Sequence, residues 1–293
     1  MSIHRFRIVN VFTYRRGALT GNPLCVFEDG AELDSTTMQA LARQFNLSET
    51  TFILPSTRAD ARVRIFTPTY EMPFAGHPTL GTAHVCRALK LGTDALRLEM
   101  QAGIIPVTAS GDRWTLTALE PTWREVEEPR GVLAEALGLE SADLGERPLW
   151  IKSGKEQLVV PLATEDAVRR AQPQFARLSA IRSEDDISMA YVFTERNHAG
   201  GRGGAESGKR RTLARFFFPQ NGSMMEDPAT GSATANLGGW CLAVGWPLPL
   251  EVEISQGEQI ARPSTLHLHI DAGRQIRVGG DVIELGRGAL HLE

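Results

Sequence analysis

Cysteine is scarce in this chain. Cys25, Cys86 and Cys241 are the only three in 293 residues, too few for a disulfide framework, and none forms a CxxC pair. A reducing cytoplasm is the expected setting. Long apolar runs are missing too. No uninterrupted stretch nears the ~20 residues of a membrane span, and Met1-Ser2-Ile3-His4-Arg5-Phe6 carries charge where a signal peptide needs an apolar core. Nor is there a basic excess: Lys plus Arg is 31 against 35 for Asp plus Glu, a net charge of −4. That balance argues against a dedicated nucleic-acid binder. His267 and His269 alternate on an expected strand, but no third ligand sits at a recognisable spacing, so no metal is expected. GxSxG, the P-loop and GxGxxG in strand–helix context do not occur.

What remains is the composition of a soluble globular protein. Hydrophobic residues are 42% and charged residues 23%, which is wrong for a disordered chain. At about 100–200 residues per domain, the length suggests two domains. Strands are expected at 6–12 and 24–27, forming a hairpin, and at 50–54 and 61–67. Between them a helix opens at Asp34 or Ser35, buries Met38, Leu41, Ala42 and Phe45, and closes at Asn46. A second helix runs from the Gly76-His77-Pro78 turn to about Leu91. It is apolar nearly all round, the mark of a buried helix. Strands at 96–100, 104–108 and 114–119 follow, then an acidic linker with two prolines, 120–129. The second half carries short helices at 130–137, 165–170 and 173–178, and strands at 150–152, 158–162, 190–194 and 213–218. The segment 197–211 reads as an exposed, basic, glycine-rich loop. Another apolar helix reaches about Ala243, and the tail, 251–292, holds short strands with turns at Gly257, Gly273 and Gly279-Gly280.

Pro78-Thr79-Leu80-Gly81-Thr82-Ala83 and Pro228-Ala229-Thr230-Gly231-Ser232-Ala233 share the pattern P-x-x-G-[ST]-A, 228 − 78 = 150 residues apart. Phe66 and Phe216 share that offset, so the two apolar helices read as two copies of one unit. Each repeated turn puts small residues and hydroxyls at a helix start, where unsatisfied N–H groups and the dipole favour an anion. Each also serves simply as a tight turn into a core helix. Glu49, between a helix and a strand, is either an exposed loop acid or a partly desolvated proton carrier. His77 is a neutral donor, a proton carrier or a cap. Asp227, beside Pro228, reads as a helix cap, which does not exclude orienting a partner.

Taken together, these segments look familiar. Val11-Phe12 with Gly21-Asn22-Pro23, then Asn46-Leu47-Ser48-Glu49-Thr50-Thr51, Gly76-His77-Pro78-Thr79, Glu226-Asp227-Pro228-Ala229-Thr230-Gly231, Gln256-Gly257 and Arg262-Pro263-Ser264 follow in order over almost the whole chain. They resemble the PhzF-like phenazine-biosynthesis isomerase family. The resemblance implies an α/β (α+β) chain of two pseudo-symmetric, diaminopimelate epimerase-like lobes, each a mostly antiparallel β-barrel around a central helix. The lobes would be 1–120, joined by the last residues 283–293, and 121–282, with the site in the cleft. It further implies a cytoplasmic homodimer, without metal or organic cofactor, acting on a small carboxylate-bearing substrate.

By motif, the resemblance makes Glu49 the proton carrier and His77 and Asp227 its catalytic partners. Helix N–H groups near Gly76 and at Thr230, Gly231 and Ser232 would hold the substrate carboxylate, and Ser48 would steady Glu49 or the substrate. A cofactor-independent epimerase or racemase and a non-catalytic carboxylate-binding protein are the alternatives. Related racemases use two cysteines at the central helix starts. Here Cys86 and Cys241 lie some turns inside those helices, which disfavours a two-thiol reaction. Ala261 stands where the family often has glycine.

Overall fold

Short β-branched and aromatic segments bounded by turn residues dictate a strand-rich chain. The computed structural model describes residues 2–196 and 209–292 of it. Two compact units result, Met1–Thr117 with Gly279–Glu293, and Ala118–Val278.

The first unit runs β1 (Ser2–Val11), β2 (Asn22–Phe27), α1 (Ser35–Phe45), β3 (Glu49–Leu54), β4 (Ala61–Phe66), β5 (Glu71–Met72), α2 (Gly76–Ala88), β6 (Ala95–Met100), β7 (Gly103–Ser110) and β8 (Arg113–Thr117). Antiparallel pairs β1–β2, β3–β4, β6–β7 and β7–β8 alternate with parallel pairs β2–β3 and β4–β6. A parallel pair needs a crossover, and here the crossovers are the helices α1 and α2. The last strand of the chain, β17 (Ile276–Leu292), pairs with β1 and β8 and closes an eight-strand barrel. α1 packs outside the barrel through Met38, Leu41 and Ala42, over Cys25, Phe27, Phe52 and Phe66. Asp34 caps it by accepting from the Thr37 N–H at 2.7 Å, and Asn46 closes it in the left-handed region at φ 52°. α2 touches strands on every side, and nine consecutive or near-consecutive residues from His77 to Cys86 are buried, as a central helix requires.

The second unit repeats the pattern. Its elements are β9 (Thr122–Glu125), α3 (Arg130–Ala136), β10 (Leu149–Lys152), β11 (Glu156–Pro161), α4 (Glu165–Arg170), α5 (Phe175–Ala180), β12 (Ala190–Glu195), β13 (Lys209–Gln220), β14 (Ser223–Asp227), α6 (Gly231–Ala243), β15 (Leu250–Gln256) and β16 (Ser264–Ile270). Antiparallel β10–β11, β12–β13 and β15–β16 alternate with parallel β11–β12 and β13–β15. α6 is the buried crossover, the counterpart of α2. This is the diaminopimelate epimerase-like α/β fold. No helix among the described residues is long and apolar enough to cross a membrane.

Four expectations change. The expected linker, 120–129, carries the strand β9, which pairs with β10. Gly279-Gly280 is not a turn but lies within β17. A Cβ on Gly279 would sit 2.5 Å from the Trp114 carbonyl, and one on Gly280 would strike Phe12, so these glycines permit close backbone approach. Of the expected loop 197–211, residues 197–208 lie outside the described residues. Lys209–Arg211 belong to β13, where they pair with β15 and Lys209 meets Glu253 at 3.2 Å. Lastly, the helix starts Gly76 and Gly231 are 231 − 76 = 155 residues apart, not 150. Pro78 therefore lies inside the first turn of α2 whereas Pro228 precedes α6. Proline, lacking an N–H, fits either place.

Candidate active site

In the first unit, α1 ends at Asn46 and the chain turns through Ser48 so that Glu49 opens β3. Gly76 and His77 open α2, whose N-terminus has no side-chain cap and no acidic residue in its first turn. These two elements bring Glu49 and His77 together: Oε2 lies 3.2 Å from Nδ1, the carboxyl side chain 16% exposed and the imidazole 6%. Burial drives the His77 pKa down to about 4, against the smaller opposing pull of the Pro23 carbonyl. The ring is therefore neutral at physiological pH, and its contact with Glu49 is not an ion pair. Ser48 is exposed on the turn before Glu49.

Tyr70 also bears on this group. It is 54% exposed, on the turn between β4 and β5. Partial burial of the ring and the charge of Glu49 raise its phenol pKa. Sequence reasoning passed it over, since the Thr67–Tyr70 turn carries no catalytic pattern of its own.

In the second unit, Asp227 is the last residue of β14, paired with Phe216 of β13. It does not cap α6; Thr230 holds that position, in extended conformation and without a side-chain cap bond. Pro228-Ala229 lengthens the approach to the helix by the residues that separate the two. The Thr230 hydroxyl instead donates to Asp227 Oδ2 at 2.5 Å. Gly231 and Ser232 form the first turn of α6. Two buried glutamines support this turn. Gln157 Nε2 donates to Ser232 Oγ at 3.1 Å, and Gln157 Oε1 accepts from Asn236 at 2.8 Å. Gln256 contacts Thr230 and the Asp227 carbonyl. Gln157 lies just before the strand expected at 158–162 and carried no signal of its own; Gln256 stood in a family motif without a role.

The cysteines are remote from such chemistry. Cys25 sits in β2, Cys86 in α2 and Cys241 in α6, all buried and unpaired with one another. Burial pushes the Cys86 thiol up to about 12 and raises the other two as well. Thiolate chemistry needs the reverse shift. Ala261 adopts φ 56° on an exposed turn after Glu258–Ile260, a left-handed conformation that glycine adopts more readily. Among the described residues no group of three or more His, Cys, Asp or Glu is placed to hold a metal ion.

Known proteins share this fold. The family model described as phenazine biosynthesis-like protein matches residues 9–286. An uncharacterized isomerase of Pasteurella multocida is 37% identical, the match covering 98% of this chain and 94% of that protein. The trans-2,3-dihydro-3-hydroxyanthranilate isomerase of Pseudomonas chlororaphis is 35% identical over 99% of this chain and 100% of its own. Among solved structures, a PhzF-family phenazine biosynthesis protein of Bacillus anthracis has a TM-score of 0.86 at 24% identity, with 100% of both chains covered. A hydroxyproline epimerase of Agrobacterium vitis shares the fold at TM-score 0.61 and 13% identity, covering 99% of this chain and 93% of that one. The chain thus belongs to the PhzF-like, phenazine biosynthesis-like family, and it is an isomerase.

Proposed function

We propose that this isomerase shifts a proton within a small carboxylated molecule, with Glu49 as the carrier. The observation that carries the reading is the Glu49–His77 contact, a partly exposed carboxyl group 3.2 Å from a buried imidazole. The Glu49 carboxylate takes a proton from an sp3 carbon beside a conjugated system. The C–H electron pair becomes a new double bond, the existing double bond shifts, and the partly exposed carboxyl group, whose proton exchanges with solvent water, delivers a proton to the carbon at the far end. Atoms and electrons balance without a cofactor. A neutral His77 can donate or accept a hydrogen bond to orient the substrate without competing for the proton. Asp227 takes the orienting role by its family motif. Each unit offers a helix start with first-turn N–H groups suited to a carboxylate, at Gly76 in one and at Gly231 and Ser232, beside the Thr230 hydroxyl, in the other, and Ser48 lies beside the carrier in the chain.

The named substrate of the Pseudomonas chlororaphis relative has the required features, a ring carboxylate and a C–H bond beside conjugated double bonds. It is therefore the first probe. On this reading the protein works in the cytoplasm as a homodimer. The test is deuterium incorporation from solvent into trans-2,3-dihydro-3-hydroxyanthranilate and related unsaturated cyclic amino and hydroxy acids. Wild type should incorporate label at the shifted carbon, and Glu49→Gln should reduce the rate by roughly 100-fold or more, the scale of general acid–base catalysis. Equal incorporation by the two proteins removes Glu49 from the role. Loss of optical activity without a double-bond shift identifies an epimerase instead.

A further inference from the structure

Gln256 ends β15 with its side chain fully buried, and no activity accounts for so polar a group in a core. Its carboxamide makes three contacts, all to one short segment. Nε2 donates to the Asp227 carbonyl at 2.9 Å and to the Thr230 hydroxyl at 3.0 Å, and Oε1 accepts from the Thr230 N–H at 3.4 Å. The amide hydrogens have thereby both been used, which fixes the orientation of the carboxamide. Because the Thr230 oxygen already accepts from Gln256, its single proton points to Asp227 Oδ2, at 2.5 Å. The chain of donors runs one way, from Gln256 through Thr230 to the Asp227 carboxylate. The next residue reinforces it. Gly257 has φ +78°, and a Cβ there would meet the Pro228 carbonyl at 2.5 Å and the Arg262 carbonyl at 2.3 Å. Only glycine lets the end of β15 close on the 227–230 segment from behind.

We propose that Gln256 is the positioning residue of the α6 helix start. It fixes the rotamer of Asp227 and the conformation of Thr230, and so sets the donors and acceptors that this turn offers the substrate. The inference rests on the reading of Asp227 and Thr230 as site residues. Gln256 itself touches no substrate; it acts through the Thr230 hydroxyl.

Two substitutions cut the chain, one at its start and one at its middle. Gln256→Glu keeps the shape but offers only acceptors, so the Thr230 proton is drawn away from Asp227. Thr230→Val removes the relay itself, with little change in volume. With trans-2,3-dihydro-3-hydroxyanthranilate as probe, each should lower kcat about tenfold or more while KM moves by less than about threefold, the pattern of lost orientation rather than lost binding. The double variant should be no worse than the poorer single one, because both break one chain. Amide hydrogen exchange over residues 227–232 should speed up in Gln256→Glu, whereas exchange in α2 stays unchanged. A double variant whose losses multiply overturns the inference, as does an unchanged exchange rate over 227–232. A wild-type protein that incorporates no deuterium into any probe overturns the proposed reaction, and with it the catalytic meaning of Gln256. Intact wild-type activity with a fully active Gln256→Glu variant overturns the inference alone.

Discussion

His77 gives the sharpest test of how the buried helix shapes the site. Its imidazole is 6% exposed, and its pKa falls from the ordinary 6.5 to about 4, chiefly through burial. In the unfolded chain the ring takes up a proton near pH 6.5; in the native state it resists until about pH 4. Below pH 6.5 the unfolded state therefore binds more protons, and stability must rise with pH across this window. The contribution is complete above the unfolded value and is lost progressively as pH falls towards the folded one. At 1.36 kcal/mol per pKa unit, the whole interval amounts to roughly 3 kcal/mol, of which about 2 kcal/mol is gone by pH 5. Carboxylates held low by their partners, such as Glu156 and Glu284, also lose stability in acid. They do so equally in a His77→Gln variant and cancel in the comparison. Urea unfolding of both proteins at about pH 7 and about pH 5 should show the wild-type advantage over His77→Gln shrinking by about 2 kcal/mol. An advantage that stays the same at both values refutes the argument that the ring is buried in its neutral form.

Two further predictions test other parts of the molecule. Arg215 is 11% exposed, pairs with Glu226 through two bonds, and also donates to the carbonyls of Val168, Arg169 and Ala171 at the end of α4. Glu226→Ala leaves that guanidinium buried beside the Asp227 strand end, and urea unfolding should show a loss of about 3–5 kcal/mol. For the thiols, Cys86→Ala and Cys241→Ala should retain deuterium incorporation within about threefold, at a stability cost of about 1–3 kcal/mol each for the buried sulfur. Loss of exchange in either variant, at temperatures where it is folded, would revive thiol chemistry.

Much of the architecture was legible because it is written locally. Asp34 and Asn46 bracket α1 by capping chemistry that depends only on neighbours in the chain. The two apolar helices were recognisable because a central helix needs apolar residues on every face. Legibility stopped where distant segments meet. Gly279 and Gly280 look like a turn until Trp114 and Phe12 are placed against them. Lys209–Arg211 look like loop until Glu253 supplies the opposite charge. The P-x-x-G-[ST]-A match found the right helices in the wrong register, because small residues are needed at both helix starts but proline is tolerated at two different places. Glu49 and His77 are 77 − 49 = 28 residues apart in sequence, and only the barrel around α2 makes them neighbours.

The burial that makes α2 a structural core element also governs the chemistry proposed for its first turn. An exposed histidine 3.2 Å from a carboxylate would share a proton with it over the physiological range, and the pair would spend its time as an ion pair. Such a Glu49 would be a poor carrier, since each proton it took from carbon would face a competing acceptor. Sinking His77 into the barrel removes that competition by making the protonated ring costly. The second unit reaches a comparable end by a different device. Asp227 lies at a strand end and is tied to Thr230, whose proton is directed by Gln256. One carboxylate thus lies beside a base that stays neutral down to about pH 4, the other beside a hydroxyl that donates to it. The two units, alike in topology, set their carboxylates in different surroundings. A symmetric two-thiol site would not produce this difference.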